Sequence, residues 1–322
     1  MTGNTLSPSL TIGFAHAAYQ LRDEFLTRNR KAQSFEVRSL SELERRIGEA
    51  DILVVSGLWR NELVQRAPKL RLVQSISAGT DQFSKAMLSA RGIKLASAQG
   101  ANEIAVAEHA MSLMLALTRQ LHFARDHQAK HYWRPMLNDR TRREDELNGK
   151  TLLIIGLGRI GQRLARLAEA FGMEVVGVKR DHKVLPGVAR LATPAQLLEV
   201  LPEADFVALT CPLTAETEGL IGAAALAAMR RSAYLINVAR GRVVDEPALI
   251  DALRRGAIAG AALDCVLEEP LPATSEIWQL PNVLVTPHSA GETRRYETRI
   301  IDLLLENIAR FEAGSALMNE IV

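Results

Sequence analysis

The stretch Thr151-Leu-Leu-Ile-Ile-Gly-Leu-Gly-Arg-Ile-Gly161 constrains the fold more than any other part of the chain. Thr151–Ile155 is a short apolar run that reads as a buried strand ending at Gly156. Gly156, Gly158 and Gly161 then fit G-x-G-x-x-G, and Ile160, Leu164, Leu167 and Phe171 recur beyond them at helical spacing. Strand, tight turn and helix in that order form the element in which a dinucleotide pyrophosphate rests on a helix N-terminus. Gly156 would make the turn, Gly158 would let the backbone approach phosphate, and Gly161 would let helix and strand close up. Arg159 and Ile160 lie inside the same contact set. A glycine turn alone is common. The strand before it and the helix after it are what make this one a nucleotide site.

At 322 residues the chain has room for two domains, each with its own core. Lys and Arg number 39 against 37 Asp and Glu, a net charge of +2 that gives no reason to expect nucleic acid or a membrane surface. The two cysteines, Cys211 and Cys265, sit in apolar surroundings without metal or redox spacing and read as reduced, buried thiols. Met1 to Pro8 shows no signal pattern, and no run is long enough to cross a membrane, so a cytoplasmic protein is expected.

The first hundred residues alternate apolar runs (10–15, 35–40, 51–56, 70–77 and 93–98) with amphipathic segments such as 41–47, where Ser41 and Glu44 suggest a capping box. Strands separated by single helices imply βαβ units and a parallel sheet. Residues 103–121 carry Ile104, Val106, Ala110, Met111, Leu113, Met114 and Leu117 with almost no polar face, as in a helix buried all round. The charged stretch after it, to about Asn148, reads as a solvated arm or interface loop. From Lys150 a second α/β unit follows, with later strands at 175–178, 206–209, 234–238, 260–263 and 283–285. Ile300, Leu303, Leu304, Ile308 and Phe311 mark a final amphipathic helix.

In a doubly wound sheet, residues at the carboxyl ends of strands face the ligand. Val238, Ala239 and Arg240 follow one strand. Asp264 follows the next, with Glu268 and Glu269 shortly after it. Thr286-Pro-His288 and then Ala290 and Gly291 follow the last. An arginine, a carboxylate and a histidine converging on one sheet edge suit carbonyl reduction. Histidine can give or take the proton near neutral pH, a carboxylate favours its imidazolium, and arginine can hold a substrate carboxylate and polarise the carbonyl.

The segments 238–245, 262–271 and 286–288, spaced as they are after the glycine motif, closely resemble those of the D-2-hydroxyacid dehydrogenases, as do 100–109 and 211–217. The resemblance spans nearly the whole chain. It implies that Arg240 binds and polarises substrate, that His288 is the acid–base, and that Glu269, directly before Pro270, is its partner rather than Glu268. It adds Cys211, Pro212 and Thr217 to the cofactor contacts and places the substrate carboxylate on the turn Ser77-Ala78-Gly79. The implied fold is α/β, with two Rossmann-like or flavodoxin-like doubly wound parallel-sheet domains and a cleft between them. A substrate-binding domain (1–102 plus 290–322) would be interrupted by an NAD(P)-binding domain (103–289). Cys265 stands where the family usually has a branched aliphatic residue, a small packing change.

One departure concerns the cofactor. NAD-using members carry an acidic residue just after the second strand of the nucleotide domain, whereas here Val178 is followed by Lys179 and Arg180. Two cations attract a 2′-phosphate that a carboxylate would repel. NADP(H) is therefore expected over NAD(H), with Asp181 as the counter-argument, since it could reach a ribose if the strand ran longer. Small 2-keto acids such as glyoxylate and hydroxypyruvate are the expected substrates, by likeness to the glyoxylate/hydroxypyruvate reductase branch. A phosphoglycerate dehydrogenase and a non-catalytic, corepressor-like nucleotide sensor are the alternatives. A homodimer is expected through helix 103–121 and the arm. Arg60 and Trp133 are possible substrate contacts. His127 and His131, four apart, resemble a metal pair without a third ligand, so no metal is expected, and His16, His109, His122 and His182 have no chemical context.

Overall fold

The computed structural model describes residues 10–29, 32–181, 183 and 185–322, so the readings of the N-terminal octet and of His182 lie outside the described residues. In chain order the elements are β1 (Thr11–Ala15), α1 (Leu21–Arg28), β2 (Gln33–Val37), α2 (Leu40–Arg46), β3 (Ile52–Val55), β4 (Leu72–Ser75), α3 (Lys85–Ala90) and β5 (Lys94–Ala96). Then come α4 (Glu103–Thr118), α5 (Leu121–Ala129), β6 (Thr151–Ile155), α6 (Arg159–Ala170), β7 (Glu174–Val178), β8 (Arg190–Ala192), α7 (Leu197–Val200) and β9 (Phe206–Leu209). The chain ends with α8 (Ala223–Ala228), β10 (Tyr234–Asn237), α9 (Glu246–Arg254), β11 (Gly260–Leu263), β12 (Val283–Val285) and α10 (Tyr296–Glu312). It divides into two compact units, one running up to Asn102 and resuming at Glu292–Val322, the other Glu103–Gly291.

The discontinuous unit is a parallel sheet in the order β2-β1-β3-β4-β5, the flavodoxin-like order. Its central strands β3 and β4 are buried at every position; β3 therefore reads as an unbroken apolar run rather than an alternating one, while β4 ends on the buried polar pair Gln74 and Ser75. One face of the core gathers Ile12, Phe14, Phe25, Ile300 and Leu304 beneath α1 and α10. The opposite face gathers Leu43, Ile47, Leu53, Val55 and Trp59. Helix α2 begins two residues earlier than the expected box. Ser39 caps it by accepting from the Glu42 N–H, and the Glu42 carboxylate accepts from the Arg38 N–H. The pattern S-x-x-E occurs twice here, and the residue with extended backbone before the apolar Leu40 takes the role.

The second unit holds a seven-stranded parallel sheet in the order β12-β11-β10-β9-β6-β7-β8. Its first six strands in sequence reproduce the Rossmann order, with the topological switch between β6 and β9. Strand β8 was not anticipated from sequence: it is three residues long with one of them buried, too short to show a period. Helix α4 packs on α6 and the sheet through Val106, Ala107, Ala110, Met114 and Leu117. It is not buried all round, because Glu108 and Ser112 are exposed. The arm also departs from expectation. It opens with helix α5, which buries none of its residues, and that helix stops at Ala129. His131 lies beyond its end in a left-handed conformation (φ 52°), so His127 and His131 do not share a helical register. Among the described residues no helix is long and apolar enough to cross a membrane, and no group of three His, Cys, Asp or Glu side chains could hold a metal ion.

Candidate active site

Register aligns the ends of the strands. Ile155 of β6 pairs with Val178 of β7 and with Leu209 of β9; Leu209 pairs with Asn237, Asn237 with Leu263, and Leu263 with Val285. Gly156, Lys179, Thr210, Val238, Asp264 and Thr286 therefore leave the sheet in one row. Parallel pairing makes residues distant in sequence neighbours along one edge.

The glycine turn fits a dinucleotide. Gly156 sits at φ +99°, where an L side chain is strained, and a Cβ there would come within 2.6 Å of the Cys211 backbone. A Cβ on Gly161 would lie 2.3 Å from the Gly156 carbonyl oxygen, so this glycine sets how closely α6 meets the strand. Around Gly158 a Cβ would meet nothing within 4 Å, leaving open space where a phosphate must approach the backbone. Gly158 is also the N-cap of α6 and supplies no capping side chain, so the first N–H groups of that helix remain available to an anion. Cys211 is buried and its thiol is pushed up to about 11 by desolvation, so it contributes packing and backbone. Pro212 and Thr217 belong to one turn, the Thr217 hydroxyl donating to the Pro212 carbonyl at 2.7 Å.

At the end of β10 the Arg240 loop is built by a side chain that sequence reasoning did not single out. Asn237 is 1% exposed, accepts from the Ala239 N–H at 3.0 Å and donates to the Arg240 carbonyl at 3.0 Å. A buried amide that binds its own following loop holds the turn after a strand in one conformation. Its only sequence signal is a polar residue closing an apolar strand. The Arg240 guanidinium donates to the Ala239 carbonyl at 2.8 Å. The next residue, Gly241, is pressed against the neighbouring loop, where a Cβ would lie 1.9 Å from the Val266 carbonyl oxygen. That neighbouring loop carries Glu269, whose Oε1 accepts from the Val266 N–H at 3.1 Å, and Glu246 secures it further by accepting from the Leu267 N–H at 2.8 Å.

Glu269 and His288 meet. Oε2 of Glu269 lies 2.6 Å from Nδ1 of His288. Burial works against ionisation of Glu269, but the hydrogen bond and charge of His288, the Val266 N–H and Arg240 outweigh it and hold its carboxyl below the usual range. For His288 the hydrogen bond to Glu269 dominates and, with the carboxylate charge, raises the imidazole above its ordinary value against burial and the Arg240 charge. The pair thus favours the imidazolium form, with Nδ1 committed to the carboxylate and Nε2 the ring nitrogen not used by it. Glu268 has no such contact. His288 stands at φ 53°, a conformation costly for a residue with a Cβ and kept only where the surroundings enforce it.

Those surroundings centre on Asp264, which is 2% exposed. Its Oδ1 accepts from the Thr286 hydroxyl at 2.6 Å and the Ser289 N–H at 2.9 Å, and its Oδ2 from the Ala290 N–H at 3.0 Å. Asp264 thus braces the backbone of the His288 loop. His109, which sequence reasoning set aside, reaches the same place from α4: its Nε2 is 3.0 Å from the Thr286 hydroxyl oxygen.

At the end of β7, Lys179 Nζ pairs with Asp181 Oδ1 at 2.7 Å, while Arg180 is exposed. Ser77, Ala78, Gly79 and Arg60 lie in the discontinuous unit. The Ser77 hydroxyl meets the Ser56 hydroxyl at 2.5 Å, the Ser77 N–H donates to Ser75 Oγ at 3.0 Å, and the Tyr296 hydroxyl donates to the Ile76 carbonyl. Ala78 and Gly79 continue that turn. Arg60 donates to the carbonyls of Gly57 (2.9 Å) and Trp59 (2.7 Å) in its own loop. Trp133 is 94% exposed on the arm.

Residues 111–290 match the family model described as "D-isomer specific 2-hydroxyacid dehydrogenase, NAD binding domain". A glyoxylate reductase of Aeropyrum pernix is 36% identical over 265 residues, covering 80% of this chain and 78% of that protein. A D-3-phosphoglycerate dehydrogenase of Methanocaldococcus jannaschii is 35% identical over 284 residues, 86% of this chain and 53% of that protein. The crystal structure of a D-isomer specific 2-hydroxyacid dehydrogenase of Xanthobacter autotrophicus in complex with NADPH and MES superposes with a TM-score of 0.81 at 28% identity, covering 98% of each chain. With a glycine cradle shaped for a pyridine nucleotide and a paired histidine on the same sheet edge, the chain belongs to the D-isomer specific 2-hydroxyacid dehydrogenases and is an NAD(P)-dependent enzyme of that family.

Proposed function

We propose that the chain reduces a small 2-keto acid, glyoxylate or hydroxypyruvate, to the D-2-hydroxy acid with NADPH. The observation that carries this reading is the 2.6 Å contact between Glu269 and His288 on the sheet edge that also presents Arg240. A nicotinamide bound on the glycine cradle would supply hydride for the keto carbon. His288 Nε2 gives its proton to the keto oxygen, and in the reverse direction takes it from the hydroxyl. Glu269 keeps the ring charged and oriented, and Arg240 stabilises the negative charge that grows on the oxygen. The substrate carboxylate is taken by the turn Ser77-Ala78-Gly79. Because the Ser77 N–H is already given to Ser75 Oγ, the amides of Ala78 and Gly79 would meet the anion. Arg60 is a further candidate for a substrate contact. A non-catalytic nucleotide sensor would have no use for a charged imidazole held by a carboxylate.

The NADPH preference rests on Lys179 and Arg180, two cations directly after β7 where a 2′-phosphate would lie. Asp181 is turned onto Lys179 and accepts from the Lys183 N–H at 3.1 Å, so its carboxylate is engaged rather than held out for a ribose hydroxyl. The other cofactor contacts are Gly156, Gly158, Arg159, Ile160, Gly161, the 211–217 turn, Val238, Ala239, Asp264, Ala290 and Gly291. A homodimer through the arm is part of the same reading. Tyr132, Trp133 and Met136 are 51%, 94% and 95% exposed, and a groove of about 890 Å³ runs between Phe123, His127, Trp133 and Leu137. So much apolar surface on one segment suits a second copy of the chain better than water.

The test is the initial rate of absorbance loss at the reduced nicotinamide band. NADPH and NADH would be compared against glyoxylate, hydroxypyruvate, 3-phosphohydroxypyruvate, pyruvate and phenylpyruvate. Fast NADPH oxidation with glyoxylate or hydroxypyruvate is expected. Turnover only with the phosphorylated acid would make it a phosphoglycerate dehydrogenase, and activity with NADH alone would overturn the cofactor reading.

A further inference from the structure

The Thr286 hydroxyl has one proton, and its 2.6 Å contact with the Asp264 carboxylate commits that proton there. Its other neighbour is His109 Nε2 at 3.0 Å. Towards His109 the hydroxyl oxygen must therefore accept, so Nε2 of His109 carries a hydrogen. The same nitrogen lies 3.5 Å from Asp264 Oδ1, adding a donor beside a carboxylate that is 2% exposed. Thr286 is also the residue whose carbonyl accepts the His288 N–H at 3.0 Å, closing the tight turn around Pro287. Any movement of Thr286 is thus passed to a ring that must stay 2.6 Å from Glu269 while its own backbone is in the left-handed region.

We propose that His109 is a positioning residue of the reaction: its Nε2–H locks the Thr286 hydroxyl onto Asp264, and through it holds His288 against Glu269. His109 is suited to this because its helix α4 is anchored to the nucleotide sheet by Val106, Ala110 and Met114, so the lock is fixed to the core rather than to another loop. Without it, Thr286 keeps its bond to Asp264 but loses its orientation, and the His288 ring samples positions away from its partner. A displacement of about 1 Å at a catalytic group can cost on the order of a hundredfold in rate; a loosened rather than a lost contact should cost about tenfold.

The proposal rests on the reading of His288 as the proton donor, and its test separates the two. The variants are His109→Phe, which fills the space without a donor, His109→Gln, which restores an N–H, and Thr286→Val, which removes the hydroxyl. Each is measured for kcat and for the NADPH KM. The titration of His288, which faces Glu269, Arg240 and Asp264, is followed by NMR in protein labelled at the histidine ring carbons. The expected result is a kcat about tenfold lower in His109→Phe and Thr286→Val at unchanged NADPH KM. The His288 midpoint should move down towards the ordinary imidazole value in both, with recovery of both properties in His109→Gln. An unchanged His288 midpoint in His109→Phe and Thr286→Val, or a His109→Gln enzyme as impaired as His109→Phe, would overturn the role. If the parent protein turned over no keto acid, the proton-donor reading would fall, yet the titration would still decide whether His109 holds His288.

Discussion

Glu269 Oε2 and His288 Nδ1 stand 2.6 Å apart on two loops that leave adjacent strands of one sheet, and each raises the other's preference for its charged form. The raised imidazole contributes stability in full below its ordinary value of 6.5 and loses it as pH climbs through the folded-state value. The depressed carboxyl contributes above its ordinary value of 4.5 and loses it as pH falls through its own folded-state value. The pair therefore stabilises the fold most between those two ordinary values. Both side chains are more than a third exposed, so the contribution is small, and the consequence to look for is catalytic.

Glu269→Gln keeps a hydrogen-bonding group at the same place without the charge. In the proposed reduction His288 gives the proton, so the alkaline limb of kcat/KM for keto-acid reduction should move to lower pH. At neutral pH the rate should fall roughly tenfold to a hundredfold. A pH–rate profile of the variant beside the parent enzyme reads both. An alkaline limb that stays in place would show that His288 does not depend on this carboxylate.

Gly241→Ala should be more damaging than its distance from the proton transfer suggests. The added Cβ would lie 1.9 Å from the Val266 carbonyl oxygen and 2.0 Å from its carbon, both backbone atoms that cannot turn away. Either the Arg240 loop or the loop leading to Glu269 must shift, and both carry residues of the proposed mechanism. Forcing atoms into a packed site costs about 1–3 kcal/mol of stability, and the displaced arginine should lower kcat/KM about a hundredfold. NADPH binding, followed by its fluorescence, should weaken far less than catalysis, because the glycine cradle is untouched even if Ala239 moves with the loop. Urea unfolding and steady-state kinetics on one preparation would separate the two losses.

The nucleotide half of the site was legible in the sequence because its information is local. Thr151–Ile155, the three glycines and the α6 pattern all fall within one short stretch, and parallel register then places Arg240, Glu269 and His288 at one edge from their positions after strands. His109 was not legible. On a helix a lone histidine that braces a catalytic loop reads like one in solvent, and its contact with Thr286 spans 177 positions. Asn237 was missed for a related reason, since nothing before the fold says that its amide turns back onto Ala239 and Arg240. Strand β8 and helix α5 escaped because a three-residue strand that begins on an exposed arginine and buries one residue shows no apolar run, and a helix that buries nothing has no apolar stripe. The two serines at the start of α2 show the limit of a motif: Ser39 and Ser41 each begin S-x-x-E, and only backbone conformation selects between them.

Asp181→Asn tests the cofactor reading from the side opposite to removing the cations. Asp181 now pairs with Lys179 at 2.7 Å and would neutralise part of the charge that a 2′-phosphate needs. Its own carboxyl is held below the ordinary range by the hydrogen bond from Lys179 and then by the Lys183 N–H, so it stays ionised at any working pH. Replacing it should free Lys179 and lower the KM for NADPH several-fold, an effect of the size of one exposed ion pair. The KM for NADH should rise or stay the same. A rise in the NADPH KM would mean that Asp181 holds Lys179 in place rather than competing for it. Lys179→Ala with Arg180→Ala should raise the NADPH KM strongly, and an unchanged value would remove the basis for the preference.

Trp133→Glu combined with Met136→Glu tests the assembly. These two side chains are 94% and 95% exposed on a segment where Tyr132 is also half exposed, and burying a tryptophan and a methionine removes a large apolar area from water. If a second copy covers the arm, two carboxylates there would have to be buried unpaired, at a cost of several kcal/mol per charge. Size-exclusion chromatography with light scattering at about micromolar concentration should then show the mass of two chains for the parent protein and of one chain for the variant. The arm helix α5 buries none of its own residues, so the variant should retain its nucleotide affinity and its thermal transition should be set by the two α/β units alone. A dimeric variant would place the contact elsewhere, and a parent protein with the mass of a single chain would leave the arm as an exposed surface and end the dimer reading.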